Sequence, residues 1–206
     1  MLTKPDTIFA EMLKQSTATV HEAMGRRGAL PSAIKPVAAS MRVCGPAFTV
    51  DSPPMDNLSL HRAIYAAKPG DVLVVRVGDH HEAGYWGEIM GVAAQARGLA
   101  GLVIDGGVRD SQELTAIGFP TFSRGLCIKG TTKHGGGSLN RPVAIGSIVI
   151  EPGDIVLGDA DGVVVVPREE GPAILEKSIK RVDNEEKIKE QLRAGKTTLE
   201  IYGLKS

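Results

Sequence analysis

The chain has 206 residues, 42 % of them hydrophobic, which suits a single α/β domain with a proper core. Its 24 basic and 24 acidic residues cancel and only 4 % of residues are aromatic, so neither a polyanion partner nor a base-stacking surface is expected, and nucleic acid is set aside as a partner. Cys44 and Cys127 are too far apart for a zinc pair and too few for a disulfide scaffold, and no signal-like or membrane-spanning apolar run appears, so the expectation is a cytoplasmic protein with reduced thiols and no membrane contact.

From about Pro5 to Gly25, apolar positions Ile8, Phe9, Met12, Leu13, Val20, Ala23 and Met24 predict one or two amphipathic helices, ended by Gly25 and Gly28. A loop with two prolines, 29–36, follows. Residues 41–44 and 47–50 read as strand segments bent at Gly45-Pro46, 51–57 as loop and 58–67 as a helix. The Pro69-Gly70-Asp71 turn leads into the strand 72–75, and then a polar stretch, 78–85, reads as mobile. A helix from about Gly87 to Arg97 precedes the strand 102–105, whose apolar run stops at Gly106-Gly107. Residues 111–117 form a short helix, 121–125 a strand end and 130–141 a glycine-rich loop. Strands 143–150, 155–158 and 163–166 flank the turns 151–154 and 159–162. Pro-Gly-Asp before an apolar pair recurs at 152–154, which reads as the same turn used twice before a strand. From Pro167 onward, charged helices run into an exposed tail, about residues 168–206, within the same domain.

The chemistry concentrates around two of these segments. Carboxyl ends of parallel strands are where open α/β sheets place ligands, and Arg109-Asp110 stands at such an end. Gly87-Glu88-Ile89-Met90 opens a helix, where unpaired backbone N–H groups and the helix dipole favour an anion, and Gly87 lets a ligand approach the backbone. Arg109 offers a planar fork for a carboxylate, Asp110 a hard oxygen for magnesium or manganese, and Glu88 a base or a holder of metal-bound water. Together they suit a 2-oxo acid whose enolate forms as a neighbouring C–C bond breaks. Each piece alone has a plainer explanation: an Arg-Asp pair also serves as a surface ion pair or helix cap, and a glutamate in a first helical turn also serves the dipole.

Glu88, twenty intervening residues, then Arg109-Asp110 resembles the site motif of the 4-hydroxy-4-methyl-2-oxoglutarate aldolases and their 4-carboxy-4-hydroxy-2-oxoadipate aldolase relatives, whose fold is shared with the regulator of ribonuclease activity A (RraA). The likeness extends in order through Glu22-Ala23-Met24-Gly25, Ile34-Lys35-Pro36, Gly45-Pro46-Ala47, Asp56-Asn57-Leu58, Pro69 to Val75, Ala100 to Gly106, Gly118-Phe119-Pro120, Gly130-Thr131-Thr132-Lys133 and Gly158 to Pro167. The resemblance implies a single RraA-like α/β domain with a swivelling β/β/α-type core flanked by helices. It implies a divalent-metal-dependent aldolase that releases pyruvate, with oxaloacetate decarboxylation as a side activity. Asp110 would bind the metal, Mg2+ or Mn2+. Arg109 and the backbone of Gly87, Glu88, Ile89 and Met90 would hold the substrate, and Glu88 would assist proton transfer. It also implies a homotrimer or hexamer with sites between subunits, completed by a glutamate of a neighbour's C-terminal helix, for which Glu185 fits best and Glu186 next; both also suit a solvated helix face. The described aldolases carry aspartate at the position of Glu88, whereas glycine there is typical of the regulator branch. A non-catalytic module binding ribonuclease E is therefore the rival. A methyltransferase, a label also attached to this family, lacks here a glycine-rich cofactor loop followed by an acidic residue on a second strand.

Other residues carry less. His80 and His81 read as exposed loop histidines near the site's mouth, and His61 as packed or capped in its helix. His134 sits in the 130–137 loop, which lacks a P-loop ending and reads as a cover for the site or a subunit contact. Asp159 and Asp161 read as turn caps. Lys129 and Lys133 lack the apolar strand setting of a Schiff-base lysine, and no Ser-His-Asp or Cys-His set is visible.

Overall fold

In the computed structural model, which describes residues 5–205, two short helices lead the chain: α1 (Pro5–Met12) and α2 (Thr17–Ala23), the latter capped by the Ser16 side chain. Then come β1 (Lys35–Pro36), β2 (Val43–Asp51), α3 (Leu58–Ala66), β3 (Val72–Arg76), β4 (Gly84–Trp86), α4 (Glu88–Ala96), β5 (Gly101–Val108), α5 (Ser111–Ile117) and β6 (Thr121–Leu126). β7 (Ser138–Leu139), β8 (Val143–Ile145), β9 (Ile148–Ile150), β10 (Ile155–Asp159) and β11 (Gly162–Val166) follow, and α6 (Gly171–Arg193) and α7 (Thr198–Tyr202) finish it. The main sheet has nine strands in the order β1-β6-β5-β3-β2-β10-β11, with β4 added to β5 and β7 to β2. β2, β3, β5 and β6 run parallel, while β10 and β11 continue antiparallel.

The alternation of strand side chains sorts the core into layers. Leu73, Val75, Leu102 and Ile104 face helices α3, α4 and α5, with Leu60, Ile64, Met90 and Leu114. Val72, Val74 and Val103 face the opposite way, into a central layer shared with Val156, Val163 and Val165 of β10 and β11 and with Ile145 and Ile150. The other faces of β10 and β11, Leu157, Val164 and Val166, are covered by Met12, Val20 and Ile174 from α1, α2 and α6. The sheet therefore curls over its own middle layer. Leu30 N–H donates to Val163 O and Lys35 Nζ to Asp161 O, drawing β1 and the segment before it against β11, so the sheet is nearly closed. The result is the expected mixed α/β core flanked by helices.

Three readings of the sequence need correction. β2 is one continuous strand through Gly45-Pro46; the pair marks a change of partners, with β10 beside 43–46 and β3 beside 47–51. Gly45 is required there because a Cβ would lie 2.4 Å from the carbonyl oxygen of Gly70. Gly106-Gly107 does not end β5 but lies inside it, because side chains at these two positions would collide with Val77, Tyr85 and the Ala83 carbonyl. The stretch 78–85 ends not in a mobile segment but in β4, whose Tyr85 and Trp86 are fully buried, Trp86 stacking on Phe119. Smaller differences are β7 inside the glycine-rich loop and the split of 143–150 into the β8–β9 hairpin at Gly146. The two Pro-Gly-Asp turns prove to be one device: Asp71 accepts from Lys68 N–H, Asp154 from Glu151 N–H, and both glycines take positive φ.

Candidate active site

β4 and β5 end side by side, and this pairing makes the site. Arg109 N–H donates to Trp86 O at 2.9 Å, which sets the Arg109-Asp110 pair against the start of α4. Asp110 takes a left-handed conformation (φ 57°, ψ 46°), a bend that begins α5 and swings its carboxylate toward α4. Asp110 Oδ2 accepts from Glu88 N–H at 3.1 Å, so the carboxylate caps the helix N-terminus from outside the helix. Gly87 makes the approach possible, since a Cβ there would lie 2.3 Å from Oδ2. Arg109 Nε stands 3.8 Å from the same oxygen, and both side chains are half exposed. The first backbone bond of the helix runs from Gly91 N–H to Gly87 O, which leaves the N–H groups of Ile89 and Met90 without a helical acceptor.

These residues line a pocket of about 170 Å3. Gly87, Ile89, Met90, Arg109 and Asp110 are in its wall, together with Gly84, Tyr85, Trp86, Asn57, His61 and Lys133. Glu88 is brought next to Asp110 by its backbone, while its side chain is half buried outside that lining. Glu185 is elsewhere: it pairs with Arg181 at 2.9 Å on α6, the helix that packs on α1 and α2 at the other end of the sheet. Glu186 pairs with Lys189 on the same helix.

Of the far wall, reading the residues one by one passed over Asn57 and gave His61 and Lys133 no part in the site. Asn57, 5 % exposed, donates its Nδ2 to Tyr85 O, and its Oδ1 is buried with no partner. An acceptor left open in this way at a pocket wall is suited to a ligand hydroxyl or amine. His61, one helical turn on and half buried on α3, is held below its ordinary pKa by burial first and by the Lys133 charge second. Lys133 is a second cation, with Arg109, in the pocket lining. The Asp56-Asn57-Leu58 and Thr131-Thr132-Lys133 segments belong to the family likeness, which was the available signal. His80 is exposed as expected, its backbone carbonyl accepting from Tyr85 Oη, whereas the ring of His81 is half buried with Nδ1 2.7 Å from Asp105 O. Among the described residues, no three His, Cys, Asp or Glu side chains gather as a metal cluster, so Asp110 is the one acidic side chain in the pocket wall.

The family model Aldolase/RraA, of the RraA-like group, matches residues 17–165. A Halalkalibacterium halodurans protein named "Putative 4-hydroxy-4-methyl-2-oxoglutarate aldolase" is 37 % identical over 170 residues, covering 82 % of this chain and 81 % of its own. The chain belongs to the Aldolase/RraA family. Among solved structures, an uncharacterised Pseudomonas syringae protein superposes with a TM-score of 0.83 at 29 % identity, covering 96 % of this chain and 95 % of its own. Streptomyces coelicolor RraAS2, titled an unusual member of the RNase ES inhibitor RraA protein family, gives 0.79 at 28 %, covering 91 % of this chain and all of its own. The family match spans the whole pocket and ends before α6, so α1 and α6 pack together outside the matched segment. No helix among the described residues is long and apolar enough to cross a membrane.

Proposed function

We propose that this chain is a lyase that cleaves a C–C bond in a 2-oxo acid bearing at least one further carboxylate, 4-hydroxy-4-methyl-2-oxoglutarate or 4-carboxy-4-hydroxy-2-oxoadipate, and releases pyruvate. The observation that carries this reading is the cradle in which Asp110, Arg109 and the open N–H groups of α4 converge across Gly87. Arg109 and the N–H groups of Ile89 and Met90 bind the 2-oxo acid end and favour the negative charge that develops on its oxygen. Asn57 Oδ1 accepts from the substrate's hydroxyl, and Lys133 neutralises the second carboxylate. As the C–C bond breaks, the hydroxyl proton would pass to Glu88, beside Asp110, through a water and return from it to the enolate carbon, giving the methyl group of pyruvate. Oxaloacetate would lose CO2 at the same site, because both reactions pass through pyruvate enolate.

Asp110 suits a divalent cation: its side chain is half exposed, and Oδ2 is held by Glu88 N–H, whereas Oδ1 accepts no hydrogen bond from the described residues. Mg2+ or Mn2+ bound there with retained waters would supply Lewis-acid stabilisation of the enolate. A homotrimer or hexamer would bring Glu185 of a neighbouring subunit toward this pocket, for which its place on the helix outside the family match leaves room.

The test is pyruvate release from the two hydroxy-2-oxo acids and oxaloacetate, with magnesium and with a chelator. Magnesium-dependent release that disappears in Arg109→Ala and Asp110→Ala supports the reading; release that persists in either variant sinks the site. The second reading is a regulator that binds a ribonuclease, which the likeness to RraAS2 favours. A stoichiometric ribonuclease complex without turnover would establish it.

A further inference from the structure

The pocket's far wall is built from two distant segments, and one carboxylate joins them. Asp56 is 3 % exposed, and four donors converge on it. Oδ1 accepts from Leu58 N–H at 2.9 Å, fixing the start of α3. Oδ2 accepts from Thr132 Oγ1 at 2.9 Å, His134 N–H at 2.6 Å and Gly135 N–H at 3.4 Å. Backbone bonds continue the seam: Thr132 N–H donates to Met55 O and Asn57 N–H to Thr132 O. Asn57 and Lys133, the two polar groups of the far wall, are thus the immediate neighbours of Asp56 and of the donors Thr132 and His134. Burial raises the Asp56 carboxyl, and the converging hydrogen bonds outweigh it, leaving the pKa below its ordinary value. The anion is the stable form, as such a clamp requires.

We propose that Asp56 is a positioning residue: it holds the glycine-rich loop 130–137 against the start of α3 and so fixes Lys133 for the second carboxylate of the 2-oxo acid. The claim rests on the proposed function for its substrate and on the hydrogen bonds for its mechanism. The loop needs such an anchor because Gly135, Gly136 and Gly137 all take positive φ and have no side chains to pack. Asp56→Asn keeps the shape but turns one acceptor into a donor facing N–H groups; Thr132→Val removes a single donor and is the milder variant if Asp56→Asn does not fold.

The experiment has two arms. Amide exchange in 131–135 is expected to rise about tenfold in Asp56→Asn while β5 exchanges as in the wild type. KM for 4-hydroxy-4-methyl-2-oxoglutarate is expected to rise about tenfold with kcat within about threefold, and inhibition by pyruvate, which has no second carboxylate, to stay unchanged. In a Lys133→Met background the Asp56→Asn penalty should shrink to less than about twofold. An equal penalty in that background, or unaltered exchange in the loop, overturns the proposal. No turnover by the wild type overturns the substrate reading and Lys133's part in it, while exchange alone then decides whether Asp56 holds the loop.

Discussion

Two carboxylates sit at two helix starts, and they have opposite fates. Asp159, on the flank formed by β10, β11 and α2, is 7 % exposed and accepts from Thr17 N–H, Thr17 Oγ1 and Asp161 N–H. Asp110, at the start of α4, accepts among the described residues from Glu88 N–H alone and is half exposed, with Arg109 3.8 Å away. Asp159 has filled its acceptor sites with protein and serves as a joint. Asp110 keeps one oxygen open and is held in place by a glycine that yields it room. A carboxylate at a helix N-terminus is therefore structural or chemical according to how many of its lone pairs the protein itself satisfies.

The largest expected difference lies in activity. Arg109→Ala or Asp110→Ala should lower pyruvate release by at least about 100-fold with melting nearly unchanged, whereas Asp159→Ala should leave KM intact. Gly87→Ala sharpens the contrast: its methyl group would occupy the space of Asp110 Oδ2, and a loss close to that of Asp110→Ala is expected in the same assay. Turnover near wild type would show that Asp110 can retreat without consequence.

On the flank the expected effects are on stability. Leu157→Ala removes a fully buried side chain beneath α1, α2 and α6 and should cost about 2–5 kcal/mol in chemical denaturation without altering KM. Asp159→Ala strands three donors and should cost about 1–3 kcal/mol. The pH dependence follows from the same bonds. Burial raises the Asp159 carboxyl, and the hydrogen bonds from Thr17 and Asp161, helped by the nearby Arg42 charge, outweigh it, so its folded pKa lies below the ordinary value. The unfolded chain then takes up protons first as pH falls, so this stability is present above about pH 4 and is lost as pH drops through the folded pKa. Asp159→Asn should flatten the acid limb of a melting-temperature profile; an unchanged limb would remove Asp159 from the account. The smallest effect is chemical: burial pushes the Cys44 thiol up to about 12, so iodoacetamide at pH 8 should leave Cys44 unmodified in the folded protein.

Much of this comparison is visible in the chain before it folds. The apolar runs of β3, β10 and β11, the helix start at Glu88 and the Arg109-Asp110 pair after a strand all follow local rules of period, capping and strand ends, and each lies where those rules put it. β4 was hidden because Gly84-Tyr85-Trp86 is too short for a period and follows polar residues; it is a strand because β5 offers an edge. Gly106-Gly107 looked like a stop because two glycines usually break a strand, yet here they admit Tyr85 and the Ala83 carbonyl. Asn57 and Lys133 carried no local mark of their own role, since each becomes a wall only when Asp56 draws their segments together.

The sequence by itself determined the family, the α/β class and the motif that brings an acid, an arginine and an aspartate within reach of one helix start. Tertiary structure decided which carboxylate stays open, which histidine is held below its ordinary pKa, and that a lysine 23 residues beyond Asp110 lines the same pocket. The physical reason is range. Hydrophobic period and capping act over a few residues and survive in the linear chain, whereas acceptor satisfaction and desolvation depend on which distant segments the sheet order sets side by side.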